Sequence, residues 1–242
     1  MLSIYRKEIS SFFSSLIAYL VIGVFLLITG LLFNIYNSIK QGIVIIYFTH
    51  YLNDQLLAAS YLIGLMLASI AGAFFTAQIS EKIGKRNLFI YALIFSGIVN
   101  ALLVFCGPED ITAIFSIGIL SEFGAAMFPT LFFVMLGDAA DFSEWKNGRR
   151  ATGLIYSAGA FATKFGVGNA EAIIGFVLGA YHNDGFEPVA IRSAFPAMVI
   201  LRSWIPSIVT FFAAGVMLLY PLTSQKMEEI TTDLNNRRIT QN

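Results

Sequence analysis

Hydrophobic residues fill this chain in long runs that are separated by short polar connections. The runs cover 16–52, 56–79, 88–106, 111–137, 151–181 and 195–221. A spanning helix needs about 20 mainly apolar residues, so each run is long enough to cross a bilayer. The pattern therefore predicts an all-α membrane protein with six transmembrane helices.

The first run is longer than a crossing requires. Its roughly 37 residues would measure about 55 Å as one helix, and a polar patch interrupts it at 34–42. One alternative is a single long, tilted helix with a polar belt. The other is two short spans, although 43–52 alone is too short to cross.

The positions of the basic residues favour one topology. Short cytoplasmic loops are enriched in Lys and Arg, and six spans with the N-terminus inside place most of the 15 basic residues in the cytoplasm. Those residues are Arg6, Lys7, Lys82, Lys85, Arg86, Lys146, Arg149, Arg150, Lys226, Arg237 and Arg238. Seven spans would put Arg6 and Lys7 outside. We therefore predict six spans with both termini cytoplasmic.

Composition agrees with a membrane protein and argues against other classes. Hydrophobic residues make up 57% of the chain and charged residues 12%, about half the charged share of a soluble domain. The mean hydropathy is +0.75. With zero net charge, one cysteine (Cys106) and no recognisable catalytic or metal-binding motif, we expect neither an enzyme, a cofactor nor a nucleic-acid partner.

Four ionisable residues stand out within the predicted spans: Lys40, Glu122, Lys164 and Glu171. Such residues are costly in a membrane and usually functional. Lys164 lies about 20 Å into its helix, too deep to reach the interface easily. Small residues such as Gly159 surround it, so we expect it to face a protein interior or a water-filled cavity, where it would bind a sugar hydroxyl or pair with a carboxylate.

The other three residues keep two interpretations each. Lys40 lies beside Asn37 and Gln41, and Asn34, Asn37 and Gln41 share one helix face. That face would line a cavity or pack against a polar helix. Glu122 and Glu171 would each be a proton or cation ligand or a salt-bridge partner, and Glu122 would pair with Lys40 or Lys164.

Segment 137–150 carries carboxylates followed by cations. They are Asp138, Asp141, Glu144, Lys146, Arg149 and Arg150. Carboxylates at a helix C-terminus need cationic partners, for which Arg149, Arg150 and Lys85 are candidates. The segment would be a cytoplasmic gate or an ordinary charged loop.

The tail from Ser224 predicts a short cytoplasmic helix with Ser224 as its N-cap and two glutamates in the first turns. The favoured interpretation is a solvated tail with no role.

Sequence motifs add a family resemblance. The run GDAADFSEWKNGRRATGLIYSAGAFATKFG (137–166) resembles the loop between the tenth and eleventh helices of the glycoside–pentoside–hexuronide:cation symporters, the melibiose-carrier-like branch of the major facilitator superfamily. NSIKQGIVIIYFTHYL (37–52), EKIGKRN (81–87) and YPLTSQKMEEI (220–230) are similar as well. Together these matches imply helices seven to twelve of a twelve-helix carrier, which is half of that fold.

The resemblance implies an alternating-access transporter of the cytoplasmic (inner) membrane that moves a sugar or glycoside with Na⁺, H⁺ or Li⁺. It implies a coupling role for Lys164, with Tyr156, Asn37, Lys40 and Gln41 as further candidates. It assigns Asp138, Asp141, Glu144, Arg149 and Arg150 to the cytoplasmic gate. The main cation site would lie in the first six helices, so a complementary N-terminal half is an expected partner, besides membrane lipid.

Residues 1–32 resemble the start of an ABC permease of the gliding-motility kind. This predicts a borrowed N-terminal segment (1–32), a symporter bundle (33–222) and a cytoplasmic tail (223–242), as in a fusion product or an incomplete gene. The alternative functions are an ABC export permease subunit, which would co-purify with an ATPase, and a membrane protein without transport activity. A symporter half would instead support sugar counterflow.

Overall fold

The computed structural model describes residues 2–52, 54–148, 152–181 and 194–241, with side chains from 24 to 239. Regular structure in these residues is helical throughout. The α-helices found there are α1 (Leu2–Ile46), α2 (Gln55–Ile83), α3 (Lys85–Ala101), α4 (Ile111–Ala125), α5 (Met127–Asn147), α6 (Thr152–Ala180), α7 (Phe195–Arg202), α8 (Trp204–Leu218) and α9 (Ser224–Gln241).

These helices form six candidate membrane spans, as the hydrophobic runs predict. The spans are Val24–Tyr51, Gln55–Ile83, Lys85–Phe105, Ile111–Asn147, Thr152–Ala180 and Phe195–Leu218. The third span ends in a 3₁₀ turn, Leu102–Phe105. An all-α fold with six apolar spans is therefore confirmed.

The long first run is one helix. α1 continues without interruption through the polar patch to Ile46 and then tightens into a π-helical segment, Tyr47–Tyr51. Two short spans are therefore the wrong alternative. At the start of the patch, Asn34 Nδ2 donates to the carbonyl oxygen of Gly30, one turn earlier on the same helix, at 2.8 Å.

Prolines divide the fourth and sixth spans, which the sequence predicts as single helices. Pro129 and Pro206 have no N–H to donate to the carbonyl four residues earlier, and α4 and α5 separate at Ala126 while α7 and α8 separate at Ser203. Asn100 compensates at the second break, because its Nδ2 donates to the carbonyl oxygen of Arg202 at 3.2 Å.

The predicted loop at 137–150 is wrong for most of its length. α5 runs through it to Asn147 and ends at Gly148, whose φ of 66° is left-handed and whose N–H donates to the carbonyl of Glu144 at 2.8 Å. Glycine adopts this conformation at little cost, which explains the helix end.

Two apolar clusters lie one above the other within the bundle. One contains Phe33, Leu88, Phe128 and Met217, and the other contains Ile43, Tyr61, Ala170 and Leu201 among their members. α1 runs between α6 and α8. α1 and α6 approach closely at Gly166, where an added Cβ would lie 2.7 Å from the carbonyl oxygen of Leu31.

The C-terminal tail is a packed helix, so the prediction of a solvated tail is wrong. Met227, Ile230 and Leu234 of α9 are buried in the first cluster. The spacing of i, i+3 and i+7 places these three residues on one helix face. The capping residue is Thr223 rather than Ser224, because Thr223 Oγ1 accepts a hydrogen bond from the backbone N–H of Lys226 at 3.4 Å.

Candidate functional site

Lys164 and Glu171 lie on the exposed surface of α6. Lys164 is twelve residues after Thr152, the first residue of α6, which is about 18 Å along the helix. Glu171 follows it by seven positions, so both project from the same side. The prediction that Lys164 faces an interior or a cavity is not met within this chain, because its own helices leave Lys164 exposed.

Three small residues lie on the same side of α6 as these two charges. Ser157 lies one heptad before Lys164, and Gly168 and Gly175 each follow one of the charged residues by four positions. A Cβ added at either glycine would have no neighbouring atom within 4 Å. Small residues at such positions allow another helix to approach closely.

The exposed edge of α1 adjoins this side of α6. A Cβ added at Gly42 would lie 2.9 Å from Ile174 Cδ1 and 3.6 Å from Glu171 Oε1. On the same helix, Gln41 Nε2 donates to Asn37 Oδ1 at 3.3 Å. We call the surface formed by Asn37, Gln41, Ser157, Lys164 and Glu171 the polar face.

Tyr156 lies beside the polar face and not on it. Its hydroxyl donates to the carbonyl oxygen of Phe133 on α5 at 3.1 Å, and about a third of its side chain is exposed. The contact attaches α6 to α5. Tyr156 is therefore held by a neighbouring helix at the border of the polar face.

Lys40 points away from Asn37 and Gln41, into the bundle. It is fully buried, and its Nζ donates to Glu122 Oε2 at 2.6 Å. Ser69 donates to the other carboxylate oxygen at 2.8 Å. Of the two pairings open to Glu122, the structure therefore has the one with Lys40. The predicted substrate residues do not form one site, since Lys40 is separated from the polar face.

The sequence reasoning missed Arg202. This residue is 1% exposed, its Nη2 donates to the hydroxyl of Tyr61, and its guanidinium carbon lies 5.1 Å from the centre of the Tyr61 ring. The available signal was an arginine inside a predicted span, seven residues after the span begins at 195.

Ion pairs join the helix ends at the face where Lys85, Asp138 and α9 meet, which we call the basic end. Lys85 Nζ is 2.8 Å from both carboxylate oxygens of Asp138, and Arg238 Nη2 is 2.9 Å from Glu144 Oε2. Lys85 was one of the predicted partners. Asp141 is half-buried here, whereas Arg149 and Arg150 lie outside the described residues.

Aromatic residues complete the basic end. Trp145 Nε1 donates to Asp233 Oδ2 at 2.6 Å, which attaches α9 to α5. Burial, followed by the charge of Asp138, raises the pKa of the Tyr220 hydroxyl above its ordinary value.

A cavity of about 810 Å³ lies between α9 and the α2–α3 turn. In the described part of the chain, no cluster of His, Cys, Asp and Glu has the arrangement of a metal site.

An apolar six-helix bundle with a buried ion pair and an exposed polar face defines a multi-pass membrane protein. Comparison with known proteins agrees. Residues 6–224 match the family described as MFS/sugar transport protein. The chain therefore belongs to this family, and it is a multi-pass protein of the inner membrane.

Curated relatives have related names. The isoprimeverose transporter of Lactiplantibacillus pentosus is 28% identical over 207 residues, which are 84% of this chain and 42% of the relative. The putative glycoside/cation symporter YagG of Escherichia coli K12 is 26% identical over 85% of this chain and 45% of its own length. An uncharacterized 29.9 kDa protein of Pseudescherichia vulneris is 26% identical over 78% of this chain and 69% of its own length.

These alignments bear on two predictions about organisation. The chain spans about half the length of most of the curated relatives it matches. The family match begins at residue 6, so it includes most of the segment 1–32. α1 continues without a break across the predicted boundary between residues 32 and 33. The resemblance of 1–32 to an ABC permease stays a prediction.

Proposed function

We propose that this chain provides one six-helix half of a cation-coupled sugar symporter and that a second half binds its polar face. The observation that carries the proposal is the exposure of Lys164 at mid-membrane depth. A lysine that faces lipid there costs about 3 kcal/mol. A second bundle with a water-filled cavity between the halves removes that cost.

The composition of the polar face suits a sugar. Lysine, asparagine and glutamine side chains donate and accept the hydrogen bonds that sugar hydroxyls need. Lys164, Asn37 and Gln41 are our proposed sugar-binding residues, and Glu171 is the proposed acidic partner of a monovalent cation. The relatives named as an isoprimeverose transporter and a glycoside/cation symporter support this substrate class.

The basic end would act as the cytoplasmic gate. Its ion pairs, Lys85–Asp138 and Arg238–Glu144, join different helices. Breaking them would allow the helix ends to separate and open the cavity to the cytoplasm, while Asp141, Arg149 and Arg150 would belong to the same gate. This orientation places both termini in the cytoplasm, as the positive-inside rule predicts.

Sugar counterflow in membrane vesicles tests the proposal. The vesicles would contain this chain alone, the part of the isoprimeverose transporter that this chain does not match, or both, and labelled isoprimeverose would be the probe. We expect counterflow only when both are present, and a decrease when Na⁺ is replaced by choline or the proton gradient is collapsed. Equal counterflow by either part alone, or none from a pair that co-purifies, would contradict the proposal.

A further inference from the structure

Three charged side chains are buried in the described part of the chain: Lys40, Glu122 and Arg202, at 0%, 4% and 1% exposure. Two of them are cations and one is an anion. Burying a charge without an opposite partner is expensive. The cluster therefore has one carboxylate for two cations.

Glu122 uses both carboxylate oxygens in this structure. Oε2 accepts from Lys40 on α1 at 2.6 Å, and Oε1 accepts from Ser69 on α2 at 2.8 Å. Lys40 Nζ also lies 3.4 Å from the hydroxyls of Tyr36 and Ser121. The carboxylate on α4 thus joins α1 to α2, and Lys40 has its full set of partners.

Arg202 has unused donors. Its Nη2 donates to the Tyr61 hydroxyl, but Nε and Nη1 have no hydrogen-bond partner among the described residues. The Tyr61 hydroxyl that accepts this bond packs against Gly118 on α4, one helical turn before Glu122, so the guanidinium lies beside the face of α4 that carries the carboxylate. A guanidinium binds a carboxylate with two parallel hydrogen bonds, so Arg202 is suited to be a second partner for Glu122.

Glu122 and Arg202 both lie near the proline breaks that divide the fourth and sixth spans. Glu122 is four residues before Ala126, where α4 and α5 separate, and Arg202 ends α7 beside Ser203. Proline positions are where helices bend most readily. Bending at these two breaks would therefore change the distance between the carboxylate and each of its two cations.

We propose that Glu122 exchanges partners, pairing with Lys40 in the conformation described here and with Arg202 in a second one. The exchange couples bending of the α4–α5 span to bending of the α7–α8 span. It concerns a site separate from the polar face, and its test needs no transport, so its failure is distinguishable from failure of the proposed function.

A double-mutant cycle tests the exchange. The variants are Lys40→Met, Arg202→Met and the double variant, and the measurement is the thermal unfolding midpoint of the purified protein in detergent. If Arg202 replaces Lys40 as the partner of Glu122, the double variant loses more than the sum of the single losses. The same cycle with Glu122→Gln in every variant should lose this excess. Additive losses with Glu122 present would overturn the proposal.

Tryptophan fluorescence provides a second measurement. It uses the single variant Lys40→Met, so it tests the exchange even if the double variant does not fold. The chain has two tryptophans, and Trp204 follows the α7–α8 break directly. With Trp145→Phe as background, Trp204 reports on that break. We expect Lys40→Met to shift the emission maximum of Trp204, because Glu122 moves to Arg202. The Lys226→Met control, a surface lysine on α9, should leave the emission unchanged. An unshifted emission in Lys40→Met would contradict the exchange.

Discussion

Lys164 is the residue on which the proposed transport activity depends most directly. It is a cation at mid-membrane depth on the polar face, where its ammonium can donate hydrogen bonds to sugar hydroxyls. Ala160 and Gly168, four residues before and after Lys164, are small, and the exposed rings of Phe161 and Phe165 also flank it on α6.

We expect Lys164→Ala to abolish sugar binding in the assembled pair, since the ammonium is the one charged donor among the proposed sugar ligands. Binding of labelled isoprimeverose to the co-purified halves measures this. Lys226→Ala is the control, because Lys226 lies on α9 away from the polar face and pairs with Glu229 at 2.8 Å. Retained binding with unchanged affinity would remove Lys164 from the site.

At the level of the helices, the two faces of α6 differ in what they tolerate. Gly166 faces α1, where an added Cβ would lie 2.7 Å from Leu31 O and 2.8 Å from Asn34 Cβ. Gly168 faces open space. The same substitution at these two positions therefore tests two contacts: at Gly166 the packing of α6 against α1, and at Gly168 the packing of α6 against a second half.

We expect Gly166→Leu to destabilise the purified chain by about 1–3 kcal/mol, the usual cost of overpacking. The measurement is thermal unfolding in detergent. Gly168→Leu is the matched control and should leave the unfolding midpoint close to that of the parent. A similar loss in both variants would mean that the effect does not come from the α1–α6 contact, since leucine favours a helix more than glycine does.

The same control variant has a second expected result. Gly168→Leu should weaken co-purification with the complementary half, because its side chain would occupy the open side of α6 where a second bundle must approach. Quantification of the partner in a pull-down measures this loss. Undiminished recovery of the partner would place the contact between the halves elsewhere on the chain.

For the molecule as a whole, α9 connects the residues of the basic end to one another and to the apolar core. Its apolar residues enter the first cluster, and Asp233 and Arg238 bind Trp145 and Glu144 at the end of α5. This docking ties the C-terminal segment to the proposed gate, so undocking α9 would change how easily that end opens.

We expect Ile230→Asp to undock α9, since Ile230 is fully buried and an aspartate there would be an unpaired charge. Limited trypsin digestion should then cleave at Lys226, Arg237 and Arg238 several-fold faster. Ile239→Asp is the control, because Ile239 lies on the same helix and is 75% exposed. Equal cleavage rates in the two variants would mean that Ile230 does not hold the helix.

The sequence by itself determined the all-helical membrane fold, the six spans and the ionisable residues that needed explaining. Apolar run length and the cost of buried charge are local properties of the chain, so they can be read without coordinates. The sequence also named both members of the Lys40–Glu122 pair and included Lys85 among the partners of Asp138.

Only the tertiary structure decided which face of each helix is covered. It separated Lys40 from Asn37 and Gln41, left Lys164 exposed, buried Arg202 and packed α9 against α5. These outcomes depend on contacts between residues far apart in the chain, such as Lys40 with Glu122 and Trp145 with Asp233. Hydrophobic periodicity describes one helix at a time, so it does not show which residues of other helices a given side chain contacts.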